Sequence, residues 1–315
     1  MRPLLFLSAL ALLAGCDASS PDLPVLSPGP VLPEFESAPR WSPDGRWLVY
    51  YDHGVRDYDP SSGSYQQDPA RWGLWVASAD GRSRRRVFTA PNATADWSPD
   101  GAMLVVEWRR LLYTLPLADS ARGAGALVPI EGSTPGFAPA WQPGGDLVAY
   151  HSNWSCGSAL EPMDPAGCGL FVVPAGGGTP RRLAGGADPT WDRAGRSLAF
   201  VGLGGELYRL ALADTTADDG RAERLTSLNG AEPFASDTRS PSFTPDGDAL
   251  VFESNGRTRV FEFDGGGVRQ LISEVSRSPS VAPDGRIAYV GPGNRIWTSS
   301  PDGEGRTPLN VPRSQ

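Results

Sequence analysis

Apolar residues in this chain fall in short runs rather than long ones. Leu48-Val49-Tyr50 and Leu198-Ala199-Phe200 are typical. Each run follows a turn containing Asp-Gly or a related pair, where Gly supplies the positive φ that a tight reversal needs. The reading is strand, tight turn, strand, repeated. "APRWSPDGRWLVYYD" at 38–52 returns as "TADWSPDGAMLVVEW" at 94–108, "APAWQPGGDLVAYHS" at 138–152 and "DPTWDRAGRSLAFVG" at 188–202. Two later copies are "SPSFTPDGDALVFES" at 240–254 and "SPSVAPDGRIAYVG" at 278–291.

Six copies define a register. An anchor residue ends the first strand of each, at Trp41, Trp97, Trp141, Trp191, Phe243 and Val281. Their separations suit the four-stranded blade of a β-propeller. The third strand of a blade is read at 73–79, 169–175, 205–212, 259–264 and 295–300, and the fourth at 84–89, 180–184, 222–226 and 268–272. Residues 306–310 are the candidate last strand of blade six. The ring then lacks a strand exchange unless residues 24–33 supply one. Pro recurs two positions before the anchor, at Pro39, Pro139, Pro189, Pro241 and Pro279. Proline deletes a ladder hydrogen bond, so the first strand is expected at the free inner edge of each sheet.

These residues resemble the WD40-like repeats of the TolB family, whose hallmark is W-S-P-D-G ahead of an apolar strand. The likeness covers roughly 38–310. It is specific at Trp41–Gly45 and Trp97–Gly101, good at Pro245–Gly247 and Pro283–Gly285, and degenerate at 142–145 and 192–195. The resemblance implies an all-β, six-bladed propeller of four-stranded antiparallel blades, with seven blades as the alternative. One departure from the family pattern is expected to matter: TolB itself carries an α/β domain ahead of its propeller, where this chain has only a Pro/Ser-rich tether. Kinship of the propeller is therefore expected, and not membership of the Tol-Pal envelope system.

The N-terminus reads "MRPLLFLSALALLAGC". Arg2 followed by about ten apolar residues forms a secretory signal too short to span a bilayer. "LAGC" resembles the bacterial lipobox, which implies a diacylglyceryl group on Cys16 and cleavage before it. The expected organisation is a signal peptide at 1–15, a lipid-anchored Pro/Ser-rich tether at 16–37 and a propeller at 38–315. The protein is then held on a membrane of the cell envelope, facing the periplasm or the exterior.

Composition narrows the rest. With 38 Gly and 31 Pro, the chain is punctuated by turns. All 28 basic residues are Arg, and the net charge of −8 argues against a nucleic-acid partner. "RSRRR" at 82–86 is read as a solvated turn and edge strand. Cys156 and Cys168 form the remaining cysteine pair, and in an oxidising envelope a disulfide between them is expected. Such a bridge closes a loop bearing Trp154, Glu161 and Asp164. Long connections at 53–72, 153–169 and 227–238 fall on one rim by strand parity, where binding residues concentrate. His53 and Tyr58 lie in the first of these.

Arg239 and Arg277 occupy identical "RSPS" strings and are expected side by side near the channel mouth, where they could hold a carboxylate. Pairing with local acids such as Asp237 and Glu274 is the competing reading. With two His, no nucleophile elbow, no H-E-x-x-H and no phosphate loop, no catalytic residues are assigned, and no metal or cofactor is expected. The function expected is capture of an envelope protein or peptide by a monomeric, non-catalytic propeller. The alternatives are saccharide binding through rim aromatics such as Trp154, Tyr58 and Phe234, or a propeller lyase or hydrolase.

Overall fold

The computed structural model describes residues 35–59, 61–117, 125–133, 135–152, 169–202, 204–212, 222–226 and 238–309. Blade one opens with β1 (Glu36–Trp41) and β2 (Trp47–Asp52). A small hairpin, β3 (Val55–Arg56) with β4 (Gln66–Gln67), precedes β5 (Gly73–Ser78) and β6 (Arg84–Phe88). Blade two is β7 (Ala93–Trp97), β8 (Met103–Trp108), β9 (Leu111–Pro116) and β10 (Val128–Pro129). Blade three is β11 (Phe137–Trp141), β12 (Leu147–Ser152), β13 (Gly169–Pro174) and β14 (Arg181–Ala184). Blade four is β15 (Ala187–Trp191), β16 (Ser197–Val201), β17 (Leu207–Ala211) and β18 (Glu223–Arg224). Blade five is β19 (Arg239–Phe243), β20 (Ala249–Ser254), β21 (Arg257–Glu262) and β22 (Gly267–Gln270). Blade six is β23 (Arg277–Val281), β24 (Ile287–Gly291), β25 (Arg295–Ser299) and β26 (Thr307–Pro308). Each blade is a separate four-stranded antiparallel sheet, so the ring has six blades. We call the strands of a blade A to D from the inside out.

The repeated string has a mechanical explanation at every position. Ser98 Oγ donates to Asp100 Oδ1 at 2.6 Å, and the same carboxylate oxygen accepts the Ala102 N–H at 2.9 Å. The Met103 N–H then donates to Ser98 Oγ, and Gly101 takes φ 69°. The hydroxyl of Ser98 and the neighbouring N–H groups hold the Asp100 carboxyl below its ordinary value. Thr244 and Asp246 build the same turn in blade five.

Each anchor packs onto the blade before it. Trp97 sits among Val49, Leu74 and Val76 of blade one, and Trp191 against Ala140, Ala149 and Leu170 of blade three. Trp41 closes the circle against Ala282 and Ala288 of blade six. The four anchor indoles are only 6–7% exposed. Truncating one to Ala would cost about 3–5 kcal/mol.

The proline two places before the anchor marks a β-bulge. In blades one, three, four, five and six the A–B register slips across that proline. The preceding residue, Ala38, Ala138, Asp188, Ser240 or Ser278, has φ between 46° and 51°. Blade two carries Ala95 in place of the proline, and there β7 pairs with β8 without a break. Proline is thus accommodated twice over, on a free inner edge and at a bulge.

Two readings of the sequence need correction. The run at 82–86 is not uniformly solvated. The Arg84 side chain is 5% exposed, donates to Asp52 Oδ2 at 3.2 Å and to the Tyr50 hydroxyl, and stacks over Trp75. The buried carboxylate of Asp52, on β2 beyond the intervening β5, draws it inward. Long connections also occur on both faces. The C–D links of blades two and four run from Pro116 to Val128 and from Ala211 to Glu223, on the face opposite the rim loops. Their D strands span two residues each; the blade-four strand lies within the 222–226 read from the sequence, and the blade-two strand is too short to show in the hydrophobic pattern.

Relief of the bulge strain is measurable. Ser278→Gly should raise stability by a few tenths to about 1 kcal/mol in urea denaturation, because glycine adopts this backbone freely while loosening the unfolded chain. Ser278→Val at the same site should destabilise by more than that gain.

Candidate binding channel and its two mouths

The six A strands enclose an axial channel whose ends differ. At the A–B turn face a funnel of about 340 Å³ is walled by the anchors and by Pro43, Pro99, Pro143, Pro245 and Pro283. Blade four has Arg193 where the others have proline. Its Nη1 reaches across the mouth and donates to the carbonyl of Pro283 in blade six at 3.2 Å.

Deeper in the funnel, the residue before the anchor serves the next blade in blades one, two, three, five and six. Ser280 Oγ accepts the Trp41 N–H at 3.4 Å, Ser242 Oγ accepts the Val281 N–H at 3.0 Å, and Asp96 Oδ2 accepts the Trp141 N–H at 2.8 Å. Blades one and three have Arg40 and Ala140 at this position, which offer no side-chain acceptor. There the following indole donates instead to the backbone carbonyl, Trp97 to Arg40 and Trp191 to Ala140, both at 3.0 Å. Burial pushes the Asp96 carboxyl up, against the pull of the Arg40 guanidinium.

The loop-bearing mouth is charged. In blades four, five and six the bulge turns an N–H outward, and a side chain of the previous blade accepts it. His151 Nδ1 takes the Asp188 N–H at 3.2 Å, Asp188 Oδ2 takes that of Ser240 at 3.2 Å, and Glu253 Oε2 takes that of Ser278 at 2.8 Å. The first of these bonds places the His151 proton on Nε2. Burial lowers the imidazole's basicity, in opposition to Asp188.

Arg239 and Arg277 flank Glu253. Arg239 is its cross-strand partner, and both guanidiniums act on its charge. Burial nevertheless pushes the Glu253 carboxyl up. Arg277 also donates to Asn294 Oδ1 at 2.7 Å, while Glu274 is paired with Arg306. Both arginines thus converge on Glu253, which the sequence reading missed because it is only 8% exposed and hidden inside an apolar strand pattern. Its signal was positional, since His151 and Glu107 occupy the equivalent place in their own blades. Asp237 lies outside the described residues.

Other expected site residues separate. His53 Nε2 lies 2.9 Å from Ser37 Oγ, and its ring meets Tyr51 edge-on. Tyr58 is half-buried. Cys16, Trp154, Cys156, Glu161, Asp164, Cys168 and Phe234 lie outside the described residues, as do residues 24–33.

Six four-stranded blades around an open channel make this chain a TolB-like β-propeller in fold. No protein-family model matches it. An uncharacterised protein of Agrobacterium fabrum is 27% identical over 220 residues, covering 65% of this chain and 66% of that protein. The chain thus spans just under two thirds of that relative's length. A structure assigned as TolB from Agrobacterium tumefaciens superposes with a TM-score of 0.57 at 22% identity, over 72% of this chain and 84% of that one. TolB from Acinetobacter baumannii gives 0.54 at 17%, over 85% and 77%. A gluconolactonase of Xanthomonas campestris gives 0.58 at 15%, over 85% and 86%. At these identities the likeness is one of fold.

The raised Glu253 carboxyl gives a pH signature. The folded state holds this proton more tightly than the unfolded chain, so its contribution to stability is complete below about pH 4 and is lost as pH rises through the folded value. The stability difference between wild type and Glu253→Gln should therefore shift against wild type from pH 4 to pH 7. Urea titrations showing the opposite slope would contradict the assignment.

Proposed function

We propose that this is a lipid-anchored cell-envelope protein whose propeller captures a protein or peptide partner on its loop-bearing face without catalysing a reaction. One observation carries the non-catalytic part. The buried titratable groups at that mouth are spent on structure: Glu36, Asp52, Glu107, His151 and Glu253 each accept a backbone N–H. A group fixed as acceptor for the fold is poorly placed to move a substrate proton. Exposed side chains such as Arg239 remain available on the same face.

The anchoring part rests on the lipobox at Cys16. Phe35 adjoins His53 and Asn294 on the loop-bearing side, so the chain enters the propeller from that face. Between Cys16 and Phe35 a fully extended chain reaches about 60 Å. A partner held on this face would lie between propeller and membrane, within that distance of the lipid. The disulfide between Cys156 and Cys168 belongs to the same reading, as a brace for the blade-three loop.

Saccharide binding draws less support, because Tyr58, the described member of its aromatic set, is half-buried.

Cys16→Ser should release the protein from the membrane fraction. Arg239→Gln, at an exposed position, should change stability by no more than about 0.5 kcal/mol. It should nonetheless abolish the partner cross-links formed by the anchored wild type in intact cells. Unchanged cross-links would remove Arg239 from the interface, and none with wild type would defeat the capture reading.

A further inference from the structure

Two hairpin turns in this propeller share one backbone and differ in chemistry. The B–C link of blade five is Asn255–Gly256, with φ 52° and 66°. That pair is the preferred occupant of a two-residue turn that needs positive φ at both positions. The B–C link of blade two is Arg109–Arg110, with φ 53° and 67°. Arginine gains nothing from this conformation, and each such residue carries a steric penalty that Asn-Gly avoids. Strain held at a surface turn where an unstrained solution exists in the same molecule points to what the side chains do.

Both arginines are exposed, on the loop-bearing face. Arg109 lies over Trp108, 4.5 Å from the ring centre, and Arg110 over Phe137 at 5.7 Å. Trp108 is itself braced edge-on by Phe88 of blade one, and Phe137 stacks on His151. The turn is clamped from both sides. The Arg110 N–H donates to Glu107 Oε1 at 3.1 Å, and its carbonyl accepts the Gly136 N–H at 2.9 Å. Glu107 therefore engages the backbone and leaves the guanidinium alone. Neither guanidinium has an ion pair or a hydrogen bond among the described residues. The result is two planar cations on one turn, each seated over an aromatic ring.

We propose that Arg109 and Arg110 form an anion clamp that receives the carboxylates of an acidic segment, rich in Asp and Glu, in the protein partner. The proposal rests on partner capture at this face and names the chemistry that the face selects. Guanidinium forks match carboxylates in paired hydrogen bonds, and a preset turn removes part of the ordering entropy that free arginines would lose.

The test replaces the pair with the residues of blade five. Arg109→Asn with Arg110→Gly removes both charges and the strain together, so Tm should stay level or rise. Binding of a fluorescent peptide of alternating Asp and Glu, read by anisotropy on the purified chain, should weaken at least about tenfold. Its Asn/Gln counterpart should bind neither protein. Equal binding of the acidic peptide by wild type and variant would overturn the clamp while leaving capture through Arg239 standing. Absence of acidic-peptide binding by wild type would overturn it as well. So would a variant whose loss is confined to co-sedimentation with phosphatidylglycerol vesicles, since that assigns the pair to a lipid surface.

Discussion

The inner edges of a propeller cannot hydrogen-bond to one another, and everything in this molecule answers to that constraint. Six A strands face an axis with their outer edges alone paired. The hub must therefore be joined by side chains reaching from one blade to the backbone of the next. Two tiers do this. At the turn-bearing end, Ser280, Ser242 and Asp96 accept the N–H of the following anchor, or the indole donates to the preceding carbonyl. At the loop-bearing end of blades four, five and six, the bulge before the proline exposes an N–H, and His151, Asp188 or Glu253 receives it. Each bond is worth about 1 kcal/mol net, but leaving its buried donor unmet would cost more.

The same logic governs closure. Blade six is assembled from four consecutive C-terminal strands, so no described strand is exchanged between the chain ends. The seam is made instead by short-range chemistry. Glu36 accepts the Ile296 N–H at 2.8 Å, and Phe35 donates to the Asn294 carbonyl. Arg286 stacks over Trp41 and donates to the Gly45 carbonyl. Within blade one, the buried pair of Arg84 and Asp52 holds two charges that would be expensive to separate.

The elements legible in the sequence were those with a local cause. W-S-P-D-G announces a turn whose hydroxyl, carboxylate and glycine each have a job within six residues. The proline two places earlier correctly placed strand A on the inside. What stayed hidden was set across blades or by backbone angle alone. Glu253 sits in an apolar run and is explained only by the N–H of Ser278 on the next blade. Val128–Pro129 is too short to leave a periodic trace, whereas Glu223–Arg224 falls within the strand read at 222–226. Asp96 and Arg193 acquire meaning only once the channel brings distant repeats together. Nothing in the sequence singles out Arg109–Arg110, because strain at a turn shows only when φ is compared with that of Asn255–Gly256.

A hub that consumes polar side chains limits what the molecule can do at its axis. Carboxylates and imidazoles near the loop-bearing mouth are already acceptors for backbone N–H groups, and removing them would loosen the ring before it altered a ligand. If this face captures a partner as proposed, recognition falls outward, to side chains the scaffold does not need. Arg239 qualifies because Glu253 beneath it is anchored by another bond. Arg109 and Arg110 qualify because the turn would be stable without them. On the proposed reading, rigidity and binding fall to different layers of the same face, the inner one fixed by neighbouring blades and the outer one free to change with the partner.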